Sequence, residues 1–346
     1  MPSRFLPRKS LAFLLLLLTA ATAAAFSRQG SLLGELSDPA PAVALEPAAV
    51  PDAAAVRCAG CHAAVAAEWA ATAHGVAWVD HHYQAALSER TRPELCAGCH
   101  VPAPLLAGGE LPRQPKARED GEEPRAHGIT CASCHQGAGE TVLGPRGSAT
   151  PAHPTEKSAF MAEKSSELCA GCHKTNIGPV VGIAKDFPES KAGAQGGSCV
   201  GCHMRPVERP WANAAGGAAD PAVAPHEGRS HALQTPRDPS FLRRAFELSY
   251  RVEGGSTTVV VKNRTGHRVP GLQGRSLSFR FEAMKGGAAA ASGELVLDVR
   301  TYLPVDGEKT VTLAAAADTV RVHAEHLDPR AGAPVVFLDE DVARGN

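Results

Sequence analysis

Ten cysteines carry the recognisable chemistry of this chain, and all ten belong to one repeated pentapeptide. The copies are Cys58-Ala59-Gly60-Cys61-His62, Cys96-Ala97-Gly98-Cys99-His100, Cys131-Ala132-Ser133-Cys134-His135, Cys169-Ala170-Gly171-Cys172-His173 and Cys199-Val200-Gly201-Cys202-His203. Two thiols three positions apart can form thioethers to the two vinyl groups of one porphyrin, and the next residue, His, then lies under the iron. C-x-x-C-H is the attachment signature of c-type haem. The two intervening residues are small in every copy, so the chain can turn tightly against the ring edge. Zinc knuckles use paired C-x-x-C but require no His directly behind each pair. Histidine makes up 15 of 346 residues, so five such placements in five are a chance event of roughly one in ten million, against a known attachment signature. All ten cysteines are consumed, which leaves none for disulfides. The expectation is five covalent haem c groups, each iron held on one side by His62, His100, His135, His173 or His203.

Each iron would keep one open axial position, and ten further histidines are available. Methionine is scarce: of four, Met1 is terminal and Met204 directly follows a motif His, leaving Met161 and Met284. Histidine must therefore supply most of the second ligands. Two imidazoles per iron, with no axial Met to raise it, imply low-spin centres of low potential.

The elements that must position these groups are thinly supplied with ordinary core residues. Aromatics are 5% of the chain, while Gly and Ala are abundant. Five porphyrins would provide the missing apolar bulk. The first cysteines lie 30 to 38 residues apart, too close for one independent helical domain per haem, so neighbouring porphyrins should share walls. Ala63–Ala73 and Ser240–Phe246 read as helices, and Gly and Pro break most of the rest. After about residue 245 cysteine disappears and alternation of period two begins: 246–252, 257–261, 277–281, 295–299, 319–322 and 334–338. Six or seven such strands with Gly-rich turns predict an antiparallel β-sandwich. The fold class is thus α+β, a haem-packed domain of short helices and coil followed by a β-sandwich.

The N-terminus combines Arg4, Arg8 and Lys9 with an uncharged run from Leu11 to Ala25, a secretory signal pattern too short for an ordinary membrane span. The expected organisation is a signal peptide at 1–25, an Ala/Pro-rich linker at 26–56, a pentahaem domain at 57–244 and the β-domain at 245–346. Export to the periplasm or cell surface fits, because thioethers to haem are made outside the bacterial cytoplasm. Membrane contact is expected only if the N-terminal segment is retained. The net charge of −1 gives no reason to expect nucleic acid as a partner.

Four stretches resemble the multihaem cytochromes c related to the nitrifier tetrahaem electron carrier, in a pentahaem branch with a C-terminal β-domain. The first motif is followed by Glu68-Trp69 and Thr72-Ala73-His74, similar to W-x-x-S-x-H with Thr for Ser. Gly128 to His135 is followed by Gly144-Pro145 and His153-Pro154. Cys199 to Met204 is followed by Arg229-Ser230-His231, and Val259 to Pro270 contains Asn263, Thr265-Gly266-His267. The resemblance implies second-ligand roles for His74, His153 and His231. The residues themselves agree with that: His74 lies 12 positions after His62 on the same expected helix, too far to bend back onto that iron, and His153 and His231 lie in Pro- or Gly-flanked loops. His82, His127 and His267 remain open as the fifth ligand, and of the adjacent His81 and His82 at most one can face an iron. His226, His323 and His326 read as structural or exposed.

Two functions compete. One is an electron carrier between donor and acceptor redox proteins, with no turnover of its own. The other is a multihaem reductase of nitrite, hydroxylamine or a sulfur oxyanion, which would need one open haem. All five motif ligands are His, with none replaced by Lys, which favours the carrier.

Overall fold

Short helices, most of them about two turns or less, run through the Cys-rich part of the chain. The computed structural model describes residues 58–119, 127–147, 150, 152–177, 180–212 and 224–345; the expected signal peptide and linker lie outside the described residues. The helices are α1 (Ala63–Ala70), α2 (His81–Ser88), α3 (Glu94–His100), α4 (Cys131–His135), α5 (Glu167–His173), α6 (Lys191–Ala194), α7 (Cys199–His203) and α8 (Pro239–Arg243). Two small sheets lie between them. One pairs β1 (Val142–Gly144) with β2 (Thr155–Lys157), the other β3 (Pro206–Arg209) with β4 (His226–Arg229). Helices of five to eight residues are unstable alone, so something other than helix propensity holds this part together.

The expected helix Ala63–Ala73 stops at Ala70. Thr72 ends it: its hydroxyl donates to the Trp69 carbonyl at 2.7 Å and takes the backbone N–H groups of His74 and Gly75. Side chain–backbone bonds of this kind compete with helix continuation. His74 thus lies in the turn after α1 rather than on it.

The C-terminal part builds its own core. Seven strands follow α8: β5 (Phe246–Glu253), β6 (Ser256–Asn263), β7 (Ser276–Lys285), β8 (Ala288–Leu297), β9 (Glu308–Leu313), β10 (Thr319–Leu327) and β11 (Val335–Arg344). The sheet order is β8-β7-β10-β11-β5-β6-β9. All pairings are antiparallel except β11 with β5, a parallel contact of two residue pairs. The outer strands β8 and β9 come together where Gly293 faces Leu313 and Val311; a Cβ there would lie 2.7 and 2.8 Å from them. The expected sandwich therefore takes the form of one curled, nearly closed sheet. Alternate residues point inward, as in β7, where Leu277, Phe279, Phe281 and Ala283 are buried.

The two halves differ sharply in what fills them. The one extended apolar cluster among the described residues lies from Leu242 onward. Between Leu106 and Leu242 no described hydrophobic residue is buried. The Cys-rich part thus lacks a side-chain core of its own over most of its length. It nevertheless forms one compact unit with the sheet, through contacts such as the paired Arg268–Asp186 bonds at 2.7 Å and a bridge between Val180 and Leu272.

Candidate haem-binding site

Each signature lies in a tight turn, helical throughout in the second to fifth copies. Side-chain capping holds two of these turns in place. Thr130 and Ser133 form a reciprocal capping box on α4, and Ser198 accepts from Gly201 N at 2.9 Å on α7. Ser166, ahead of α5, accepts from Cys199 N at 3.0 Å and so ties the fourth motif to the fifth. Nine of the ten cysteines are partly exposed and Cys202 is exposed, and none is in a disulfide.

Four of the five motif histidines share one arrangement. Nδ1 of His62 meets the Trp211 carbonyl at 2.6 Å, that of His100 the Ala77 carbonyl at 2.7 Å, that of His135 the Leu143 carbonyl at 2.8 Å and that of His203 the Gln234 carbonyl at 2.8 Å. A carbonyl can only accept, so Nδ1 carries the proton and Nε2 keeps its lone pair. This is how metal-ligating imidazoles are ordinarily held.

Opposite four of these rings stands another imidazole. The centroid separations are 6.5 Å for His62 and His153, 6.2 Å for His173 and His74, 6.0 Å for His135 and His231, and 6.3 Å for His203 and His267. Nitrogen ligands bind a metal at about 2.0–2.1 Å, so two imidazoles on one ion place their ring centres about 6 Å apart. The pairs are too distant to touch and suited to a single ion between them. The second members are also turned: Nδ1 of His231 bonds the Arg229 carbonyl at 3.1 Å, that of His267 the Arg268 carbonyl at 2.9 Å and that of His153 the Thr155 hydroxyl at 3.1 Å.

Burial favours the neutral form of six of these rings. It holds His74 and His231 down at about 4, and it lowers His100, His135, His173 and His267 as well. A neutral imidazole is the form that ligates metal. Burial likewise pushes the Cys134 thiol up to about 11, while contact with the Cys169 thiol draws Cys199 down to about 6.

His100 departs from the pattern. All fifteen histidines lie among the described residues, yet none stands opposite its ring. Instead Tyr83 stacks on it at 3.7 Å and 9°, too close to leave room for an ion between the two rings. Of the open candidates, the ring of His82 lies 3.9 Å from that of His81 on α2 and is tilted by 38° to it, and His127 is buried at 1% exposure. His267 is the one brought opposite a motif ring. Sequence reasoning left it open because its position depends on a buried side chain: Asn263, at the end of β6, donates to the His267 carbonyl at 2.8 Å. His226 bonds a neighbouring carbonyl, His323 lies near Glu325 and Asp339 at the surface, and His326 is buried at 2%.

The motifs also adjoin one another. The thiols of Cys99 and Cys172 are in contact, as are those of Cys169 and Cys199, and Cys134 lies close enough to act on Cys169 and Cys172. The fourth motif thus borders the second, third and fifth, and His62 lies near His135. Among the described residues no group of three or more His, Cys, Asp or Glu is arranged to hold a bare metal ion, as zinc knuckles would require. Donor chemistry, paired rings and the missing apolar core fit haem c.

Comparison with known proteins points the same way. Residues 57–136, which contain the first three motifs, match the family model described as cytochrome c554 and c-prime. No curated protein matches the chain. Its fold is similar to the crystal structure of a penta-heme cytochrome c552 from Thermochromatium tepidum, at 17% identity and a TM-score of 0.57, covering 86% of this chain and 99% of that one. Together with the five motifs and their geometry, these likenesses support a multihaem c-type cytochrome.

Proposed function

We propose that this protein is an exported pentahaem cytochrome that carries electrons between redox partners. The observation that carries the reading is the set of four imidazole pairs at 6.0 to 6.5 Å. The ten motif cysteines would hold haem c, and His62/His153, His135/His231, His173/His74 and His203/His267 would ligate four irons. In each pair the two histidines come from different stretches of chain, so ligation would also fasten the fold. Bound haem supplies a one-electron iron couple, of low potential under two imidazoles. The chain's own part is to hold ring tautomers, exclude water and keep neighbouring centres close. The mutual contacts of the second, third, fourth and fifth motifs support short transfer steps through a central fourth motif. The β-domain contributes His267 as well as a scaffold, and the relation to the nitrifier tetrahaem family belongs to this reading.

A second reading rests on His100. With Tyr83 stacked beside it and no histidine opposite, the second motif would leave one iron face open to a small ligand, as a reductase of nitrite, hydroxylamine or a sulfur oxyanion requires. Carbon monoxide titration of the reduced holoprotein separates the two readings. One equivalent bound, with four centres remaining low-spin, fits the pairs described. No binding would mean that His82 or His127 completes a fully saturated carrier. More than one equivalent would overturn the ligand pairs. Saturable turnover of nitrite, hydroxylamine or tetrathionate by the protein would overturn a carrier without catalysis.

A further inference from the structure

Where the curled sheet meets the second motif there is a cluster of charges that does not balance. Asp328, with 2% of its side chain exposed, takes Arg330 at 3.0 and 3.1 Å and the Nε groups of Arg237 and Arg275, each at 3.4 Å. Arg330 also reaches Asp80 at 3.7 Å. The three arginine side chains are only 11%, 21% and 18% exposed for Arg237, Arg275 and Arg330, and Asp80 is 10% exposed. Three guanidinium charges therefore face two carboxylates in a largely dry place. His326 adds no charge, since burial and the nearby Arg275 and Arg237 hold it down at about 4.

Two polar atoms here lack partners. Nη2 of Arg237 is buried without a hydrogen-bond acceptor, and so is Nδ1 of His326, a residue 2% exposed. A buried guanidinium N–H without an acceptor is unfavourable, and so is a protonated imidazole Nδ1 left without one. Both would be relieved by one more anion with oxygen acceptors, and a guanidinium fork matches a carboxylate best.

The place of the cluster suggests where that carboxylate comes from. Asp80 acts electrostatically on His100, and Ala77, three residues before it, is the acceptor for His100 Nδ1. We infer that Arg237, Arg275 and Arg330 form a carboxylate-binding site, filled by a propionate of the haem attached at Cys96 and Cys99. The inference rests on haem attachment at that motif and goes beyond it by assigning the propionate's partners.

The test uses the holoprotein and its Arg237→Gln, Arg275→Gln and Arg237→Lys variants. Intact mass first establishes five haems; a missing haem at the second motif would sink the functional reading and this inference with it, and is seen before any potential is measured. Midpoint potentials are then read by optical redox titration. An unpaired propionate favours the oxidised iron, so one of the five midpoints should fall in each Gln variant while four hold. Arg237→Lys should fall less, because it keeps the charge without the fork. If the Gln variants do not fold, the Lys variant and the wild-type anion series still decide. A wild-type midpoint that moves with added acetate would assign the site to a free carboxylate and overturn the propionate. Variants that melt earlier with all five midpoints unchanged would show a structural clamp alone, which also overturns it.

Discussion

His74 shows how much a single side chain is asked to do. Its ring faces His173, its carbonyl accepts from Ile129 at 3.0 Å, and its own N–H is held by Thr72. Changing His74 to Ala should turn one iron high-spin and able to bind carbon monoxide; an unaltered low-spin spectrum would remove His74 from the ligand set. Gly128 is coupled to the same turn. Its φ is +55°, and a Cβ would lie 2.6 Å from the His74 carbonyl oxygen and 2.8 Å from Ala77 N. Gly128→Ala should therefore destabilise the holoprotein by about 1–3 kcal/mol, through the strained φ and the forced backbone shift. A thermal transition equal to wild type would show that the turn can move aside. The motif residues were legible because covalent attachment dictates their spacing. The motif that each further histidine faces was not, since that depends on the tertiary path. His267 illustrates this: the buried Asn263, Thr265 and the Arg268 carbonyl hold it, and Arg268 in turn is paired with Asp186.

Between the two parts of the chain, the joints are built from elements that sequence reading does not connect. Asp186, in the turn of the short helical stretch 187–189, holds Arg268 through its N–H, Nε and Nη2. The bond from Arg268 is the largest reason that the Asp186 carboxyl sits below its ordinary value of 3.8. A carboxylate lowered on folding contributes stability fully above its unfolded value and loses it as pH falls through the folded one. Melting temperature should thus drop below about pH 4 in the wild type, and less so in Asp186→Asn, which should already be destabilised by about 1–3 kcal/mol at neutral pH. Equal acid profiles would discount the pair. Strands were easier to read where β-branched and aromatic residues alternate, as in β6 and β7. The Ala-rich start of β8 and all of β9 escaped notice, the first because Ala carries little strand preference. The helix after the first motif was read three residues too long because Thr72 closes it through a side chain–backbone bond.

At the scale of the molecule, the unequal cores predict unequal folding. A fragment from residue 239 keeps Leu242 and the whole sheet, so it should unfold cooperatively by itself, with the large heat-capacity change of a buried apolar core. The complete chain without haem should show only that transition, because little apolar surface is buried between Leu106 and Leu242. A second cooperative transition in the haem-free chain would contradict this. The α+β division was visible where the cysteine motifs end and period-two alternation begins. The curling of the sheet into one nearly closed surface was not, because it depends on two residue pairs between β11 and β5 and on Gly293 admitting β9.

The meeting of Cys99 with Cys172 and of Cys169 with Cys199 has a consequence for biogenesis. In a chain that has not yet received porphyrin, an oxidant acting when these thiols meet would join two motifs rather than the two sulfurs of one. Such a crossed bridge would block two attachment sites at once. Maturation must therefore keep the chain reduced and deliver porphyrin before the motifs converge, so a holoprotein made under insufficient reductant should lack haems in pairs.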